Sequence, residues 1–378
     1  MIVKRVPIDT YCEKKVPTLQ KTYDGLIDYL DISSVDNAEK RIISYQTIRS
    51  SNAPSRAKQL LKKGDVLVST VRPNLNAVAV VEEETENLMV GSTGYCVLRC
   101  KENIDVRYLF NFCQSQYFID DMSSQATGAS YPAVSNSIVR NSLIPCHSIE
   151  EQRKIAEKID TVSELIAFRK QQLVELDELV KSRFIELFGL PVSNSKGWNT
   201  EKMREVAPTV NYSGGFEDTV WLLNLDMVEA QTGRILDYLY VNEEEVGNST
   251  CTFDTTNVLY SKLRPYLNKV VIPDRCGYAT SELIPLKPNP MKLERTYLAF
   301  MLRSDEFVNM INEKVAGAKM PRVSMSDFRE FDVPVPPMEL QNQFAAFVEQ
   351  TDKSKLAIQK SLEQLETLKK SLMQQYFG

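Results

Sequence analysis

Two forty-residue stretches carry the plainest hydrophobic pattern in the chain. From Ile149 to Phe188 there is neither proline nor glycine. Seam positions fall at Ile155, Ile159, Val162, Ile166, Arg169, Leu173, Leu176, Val180, Arg183 and Leu187, alternately four and three apart. The same spacing recurs 189 residues later at Phe344, Val348, Thr351, Lys355, Ile358, Leu362, Leu365, Lys369, Leu372 and Tyr376. This period predicts two long amphipathic helices with heptad seams, each interrupted by polar residues. Prolines upstream (Pro145; Pro334, Pro336, Pro337) block helical continuation, and each stretch ends at Phe-Gly, with glycine in the C-cap role. Forty helical residues make a rod of roughly 60 Å, which needs a partner for its apolar stripe. Either the chain pairs with a second copy, as a homodimerising coiled coil with passenger domains, or its own two helices pair. Because both copies carry polar interruptions, an antiparallel intrachain pair is favoured, holding the globular modules at opposite ends.

Between these stretches the apolar spacing shortens. Strand-like segments lie at 29–32, 42–48, 65–69, 76–81 and 94–99, followed by one amphipathic helix over 108–122. The order recurs at 221–227, 257–260, 269–272 and 283–286, with a helix over 294–310. Short strands with a late helix predict α+β modules, not a parallel βαβ sheet. The expected organisation is a globular domain over 1–148, a helix over 149–189, a second domain over 190–337 and a second helix over 338–378: an internal pseudo-two-fold repeat.

The repeat extends to identities. Residues 65–76 (DVLVSTVRPNLN) match 257–268 (NVLYSKLRPYLN) at seven of twelve positions. Gly128-Ala129 and Pro132 match Gly317-Ala318 and Pro321, and Gln152 matches Gln341. A period near 190 residues is too long for a solenoid unit and is the length of a domain plus connector. Two such modules suggest two similar ligands, or one ligand with two halves.

Composition is that of an ordinary globular chain, with 43% hydrophobic and 25% charged residues. No apolar run approaches a membrane span and no signal sequence is visible, so a cytoplasmic protein without membrane contact is expected. Seven cysteines form no disulfide framework or C-x-x-C pair. The net charge of −5 excludes binding of nucleic acid on bulk charge alone. Residues 1–148 carry 17 basic and 16 acidic side chains, and 190–337 carry 16 and 20. If DNA is the ligand, base reading sits on local clusters and another protein supplies most phosphate contacts.

Catalytic chemistry is nearly absent. The single histidine, His147, allows no H-E-x-x-H zinc site, and neither G-x-G-x-x-G nor a Walker loop occurs. Pro273-Asp274 with Glu282 resembles a metal nuclease motif, but Ile284 stands where its lysine belongs. No Asp/Asn-Pro-Pro-aromatic tetrad of an amino-methyltransferase is present. No catalytic residue and no metal site are therefore expected.

The matched loops suit binding instead. Ser69, Arg72, Asn74 and Asn76 lie on one proline-stiffened turn, and Ser261, Lys262, Arg264, Tyr266 and Asn268 on the other. Arginine is the usual reader of guanine, asparagine of adenine, and hydroxyls and lysines reach phosphates. The residues alone leave a second reading open, in which the arginines pair with acids of their own domains and Asn76 and Asn268 cap turns. A second loop, ending at Ser135 and Ser324, keeps its frame and changes its tip: Ser130, Tyr131 and Ala133 against Lys319, Met320 and Arg322. Divergent tips on a shared frame are what two readers of different sequences would need.

Over its full length the chain resembles the specificity (S) subunit of type I restriction-modification enzymes. The resemblance rests on the two V-L-x-S-x-x-R-P turns and the two G-A-x-x-P-x-V-S loops. It rests also on the P-x-x-x-x-E-x-Q joints at Pro145–Gln152 and Pro334–Gln341, the Phe-Gly helix ends, and Gly197-Trp198-Asn199, which has no counterpart in the first module. It implies two target recognition domains, each reading one half of a bipartite asymmetric site in double-stranded DNA, with the helices as a ruler. It also implies two modification (M) subunits docked on the helices, carrying S-adenosylmethionine and methylating adenine. Restriction (R) subunits using ATP and magnesium complete such complexes, and the chain itself binds no cofactor. The alternatives are a coiled-coil adaptor, which leaves the matched turns unexplained, and a remnant of a single-chain restriction-methylation enzyme, against which the missing motifs speak.

Overall fold

A computed structural model describes residues 4–216, 218–315 and 320–378. The chain divides into two compact units, Met1–Gln171 with Gln359–Gly378, and Gln172–Ile358. Each unit therefore combines one globular module with a segment of both long helices, Ile149–Phe188 and Met338–Phe377.

In the first unit a four-stranded sheet has the order Gln46–Arg49, Leu26–Leu30, Leu88–Ser92, Ala57–Leu60. Its central pair is parallel and its outer pairs antiparallel. A three-stranded antiparallel sheet follows, Tyr95–Leu98, Val66–Ser69, Val78–Val80. The second unit repeats both: Leu239–Asn242, Thr219–Leu223, Gly277–Thr280, Thr250–Phe253, and then Val270–Val271, Val258–Ser261, Leu283–Leu286. The parallel pair recurs at the same place. The units are thus pseudo-symmetric α+β copies. The strands at 57–60, 88–92, 239–242, 250–253 and 277–280 carry too little alternation to stand out in the sequence. Pairing with a neighbour, not their own pattern, makes them strands.

The single helix expected over 108–122 is two helices, Val106–Phe112 and Gln116–Ser124. The one expected over 294–310 is likewise Arg295–Arg303 and Asp305–Lys314. Ser115 and Ser304 make the breaks. Each is extended, and its hydroxyl accepts an amide of the next helix, from Phe118 at 3.2 Å and from Phe307 at 3.3 Å. Serine at an N-cap competes with helical continuation, and apolar spacing alone does not report that competition.

Both long helices form over the full length expected, and every expected seam position is buried or half-buried. Within the first unit, Lys158 meets the Tyr376 hydroxyl at 3.4 Å, while Asp160 and Lys170 face Lys369. Within the second, Asp177 binds Lys355 at 2.6 Å and Phe184 lies 5.4 Å from Phe344. Rising numbers on one helix meet falling numbers on the other, so the pairing is antiparallel in each unit. The Phe-Gly ends contribute more than a stop signal. Phe377 is buried against Tyr108 and Phe112, at 5.2 and 5.7 Å, and Phe188 against Tyr297 and Phe344, at 4.7 and 5.5 Å. Gly189 leaves its helix at φ +76, a left-handed exit that glycine makes without steric cost.

Gln152 and Gln341, matched in the repeat without an evident role, are buried latches. Each accepts the amide of a helix N-cap residue (Asp105, Glu294) at 2.9 Å and donates to carbonyls of the joint behind it. Tyr108 and Tyr297 add a second tie, donating to the Pro145 and Pro334 carbonyls at 2.9 Å. These bonds hold each globular module against the start of its long helix.

Candidate nucleic-acid interface

Each matched turn leaves a buried strand, Val66–Ser69 or Val258–Ser261, and passes through one turn of 3-10 helix, Pro73–Leu75 or Pro265–Leu267. Left-handed residues bracket it on both sides: Arg72 and Asn76, and Arg264 and Asn268, all at φ 49. A left-handed non-glycine residue costs about 1–2 kcal/mol, so the surroundings must hold it there. The Ser69 and Ser261 hydroxyls donate to the carbonyls two residues on, Val71 and Leu263, both at 3.0 Å. The Asn76 amide donates to the Cys113 carbonyl at 2.8 Å and that of Asn268 to Arg303 at 2.9 Å.

This corrects part of the expected site. Ser69, Ser261, Asn76 and Asn268 are buried at 3–6% exposure, and their polar atoms face inward. They build the turn and do not present it to a ligand. The capping alternative therefore describes the asparagines. It does not describe the arginines: Arg72 and Arg264 are exposed, and among the described residues neither has an acidic partner.

The second loop, remote in sequence, joins the turn directly. Val71 bridges Ala133 in antiparallel fashion, Arg72 donates its amide to Pro132 at 2.7 Å, and Val134 donates to Thr70 at 2.9 Å. The second unit repeats this with Leu263 and Arg322, Arg264 to Pro321 at 2.8 Å, and Val323 to Lys262 at 2.9 Å. Turn and loop thus form one ridge per unit. In the first, Arg72 stacks over Tyr131 at 4.8 Å, with Asn74 and Ser130 also exposed. In the second, Arg264, Tyr266, Met320 and Arg322 are exposed and Lys262 is half-buried. Arg322 is bound to Glu282 at 3.0 Å, which raises its pKa. Lys319 lies outside the described residues. Ser135 and Ser324 are exposed but cap the short helices Asn136–Asn141 and Met325–Arg329, accepting amides at 3.3 and 3.4 Å.

Among the described residues no three His, Cys, Asp or Glu side chains come together as a metal ion would require. Burial pushes the Cys96 thiol up to about 11 and that of Cys12 to about 12, as inert core thiols behave. His147 packs edge-on against Tyr108 at 6.0 Å. Among the described residues no helix is long and apolar enough to cross a membrane.

A model of the type I restriction modification DNA specificity domain matches residues 10–178 and 234–369. The chain belongs to that family. Both ridges fall inside the matched residues, so the specificity domain occurs twice here. Among curated proteins, the type I restriction enzyme EcoDI specificity subunit of Escherichia coli is 21% identical over 61% of this chain, and the match spans 60% of that relative's length. The MjaIX specificity subunit of Methanocaldococcus jannaschii is 20% identical over 83% of this chain and 77% of its own. The fold recurs in a solved chain of a type I R-M system at TM-score 0.64 and 23% identity, covering 99% of this chain and 97% of that one. A type I restriction-modification S subunit from M. genitalium superposes at 0.56 and 17% identity, covering 99% and 96%.

Four residues that make structural ties in the two units had no role assigned from sequence. Tyr108 and Tyr297 stand 189 apart, a signal that alignment of the two modules supplies. Lys40, bonded to Asn76 at 2.9 Å, and Arg303, bonded to the Val270 carbonyl at 3.1 Å, come from non-equivalent places, so the repeat does not reveal them.

Proposed function

We propose that this chain is the DNA-sequence-reading subunit of a type I restriction-modification complex. Residues 1–148 and 190–337 act as two target recognition domains, each reading one half of a bipartite, asymmetric site in double-stranded DNA. The observation that carries this reading is the pair of ridges: one backbone frame built twice, with exposed tips that differ. An exposed, acid-free arginine on a rigid turn is the side chain best suited to a guanine edge, and a good bidentate contact contributes about 1–3 kcal/mol of discrimination.

The near-neutral charge of the modules fits a division of labour. Two modification subunits dock on the long helices, close the clamp on the phosphates, and supply S-adenosylmethionine for adenine methylation. Restriction subunits with ATP and magnesium act on the assembled complex. This chain contributes sequence reading and spacing without catalysis, and works in the cytoplasm.

Selection of bound duplexes from a randomised DNA library, by the chain co-purified with its methyltransferase partner, tests this. The expected product is a motif of two unlike halves separated by a gap of fixed length. Inserting one heptad near the middle of Ile149–Phe188 adds about 10 Å of helix, which should change the gap and leave both half-sequences intact. A contiguous motif, or none, would refute the reading.

A further inference from the structure

A cation holds the foot of the first Arg-Pro turn, another holds the strand that leaves the second, and the two come from different parts of the fold. In the first unit, Lys40 Nζ donates to the Asn76 carbonyl at 2.5 Å and to its side-chain Oδ1 at 2.9 Å. Lys40 closes the loop after strand Val35–Asp36, at φ 56, with its amide on the Asp36 carbonyl at 2.9 Å. The same point of the second unit's loop is Gly233, at φ 68, with its amide on Glu229 at 3.1 Å. No side chain fits there, because a Cβ would run into the Val270 carbonyl and the Arg303 guanidinium. Arg303 occupies that space and donates through Nε to the Val270 carbonyl at 3.1 Å, with a second guanidinium nitrogen on the same oxygen. Its counterpart 189 residues earlier is Gln114, whose amide only returns to Phe110 at 3.3 Å. Lysine and glutamine in one unit stand where the other has glycine and arginine, and each arrangement brings one cation to the turn or to the strand that leaves it.

The first turn takes its charged donor at Asn76 itself, whereas the second receives its cation two residues on, at Val270, and Asn268 Oδ1 is buried without a partner among the described residues. Two left-handed residues per turn are strained, and carbonyls at its foot point into the protein, where an unpaired acceptor costs about 1–3 kcal/mol. A charged donor makes the stronger bond. Both cations are held at a cost, since burial pushes Lys40 down to about 8 and Arg303 down to about 10. The charged groups facing Lys40 are Asp36 of its own loop and Lys369 of the second long helix. Facing Arg303 is Asp352 of that helix.

We infer that Lys40 and Arg303 are positioning residues, Lys40 clamping the foot of the first Arg-Pro turn and Arg303 the strand that leaves the second, and so setting the direction of Arg72 or Arg264. That these arginines then meet DNA rests on the function proposed above. The test uses the full chain with Lys40→Met, Arg303→Met, Lys40→Gly, and the transplant Lys40→Gly/Gln114→Arg, which rebuilds the first unit on the second unit's plan. Hydrogen exchange is read at the turn amides, Leu75 and Asn76 against Leu267 and Asn268, and half-site enrichment is read from the randomised duplex library. Lys40→Met should speed exchange at Leu75 and Asn76 by about tenfold, a loss of about 1.4 kcal/mol, and weaken one half of the selected motif. Arg303→Met should do the same to the other turn and the other half. The transplant should restore the first turn beyond Lys40→Gly alone.

Unchanged exchange in Lys40→Met, equal loosening of both turns, or a transplant no better than Lys40→Gly would each overturn the inference. Faster exchange with rescue by the transplant, but both half-motifs intact, would uphold the clamp and defeat the DNA-reading role of the turns.

Discussion

Arg72 and Arg264 occupy the same point of the same turn, with the same backbone angles and the same bond to a proline carbonyl, yet their neighbourhoods differ. Arg72 lies over the ring of Tyr131, which stands 69% exposed. At the equivalent place the second unit has Met320, and its other loop arginine, Arg322, is tied to Glu282. The frame beneath is held by backbone bonds and buried side chains, where a change is costly. The tips meet solvent, where exchange costs little in stability. On the proposed function, the comparison teaches how one fold would carry two specificities: the buried frame would fix where the readers stand, and the surface would change what they read.

The buried frame is itself not identical, and the largest expected effect lies there. Asp65 is fully buried and bound by Arg99 through Nε at 2.8 Å and Nη2 at 2.7 Å. The matching residue of the second unit is Asn257, which serves the same strand ends with a neutral amide, donating to Leu286 at 3.3 Å. Arg99→Ala strands a buried carboxylate and should destabilise the first unit by about 3–5 kcal/mol. Asn257→Ala should cost the second only about 1–3 kcal/mol. Urea denaturation with unit-specific hydrogen exchange reads both, and equal losses would mean that the charge makes no difference.

Next in size are the tips. Arg72→Ala and Arg264→Ala should each weaken a different half-site by about 1–3 kcal/mol if they read bases. Stability should stay within about 0.5 kcal/mol of wild type, because both side chains are exposed. Binding of half-site variants measured by gel shift decides this. A loss uniform across sequences, with a smaller salt slope, would assign them to phosphates.

A smaller contrast lies in pH. The folded pKa of Lys40, about 8, lies below its ordinary 10.5. Between those values the unfolded chain binds a proton that the folded chain has released, so the first unit gains stability as pH rises from about 8 to 10.5. At 1.36 kcal/mol per pKa unit the full shift would give about 3 kcal/mol, and solvent screening of a partly exposed lysine reduces the expected gain relative to Lys40→Met to the order of 1 kcal/mol. Urea midpoints of both proteins at matched pH test it, and a constant difference would contradict it. The smallest effect belongs to Glu282→Gln, which frees Arg322 from an exposed, solvent-screened ion pair of little weight in stability. Stability should barely move, while the half-site read by the second unit should change in affinity, as the library selection would show.

Much of the architecture was legible before any coordinate. The forty-residue helices, their seams, the duplicated module and the Arg-Pro turns follow from local patterns that hold wherever the segments pack. Part of what escaped was decided by partners distant in sequence. The strand at 57–60 exists because 88–92 pairs with it. The breaks at Ser115 and Ser304 are local, three residues from the amides they accept, and escaped because apolar spacing does not report a capping hydroxyl. In the motif Ser-x-x-Arg-Pro-x-Leu-Asn, three polar letters looked equally available, yet serine and asparagine turn inward while arginine turns out.

The sequence by itself determined that two copies of one module exist, where the long helices run, and which turn each module carries, because periodicity and duplication are written in the order of residues. Only the tertiary structure decided that a loop sixty residues on joins each turn to form a ridge, which of its polar groups meet solvent, and that Lys40 and Arg303 serve one purpose from unlike positions. Those choices depend on direction and burial, which arise when segments far apart in the chain compete for the same space and the same hydrogen-bonding groups.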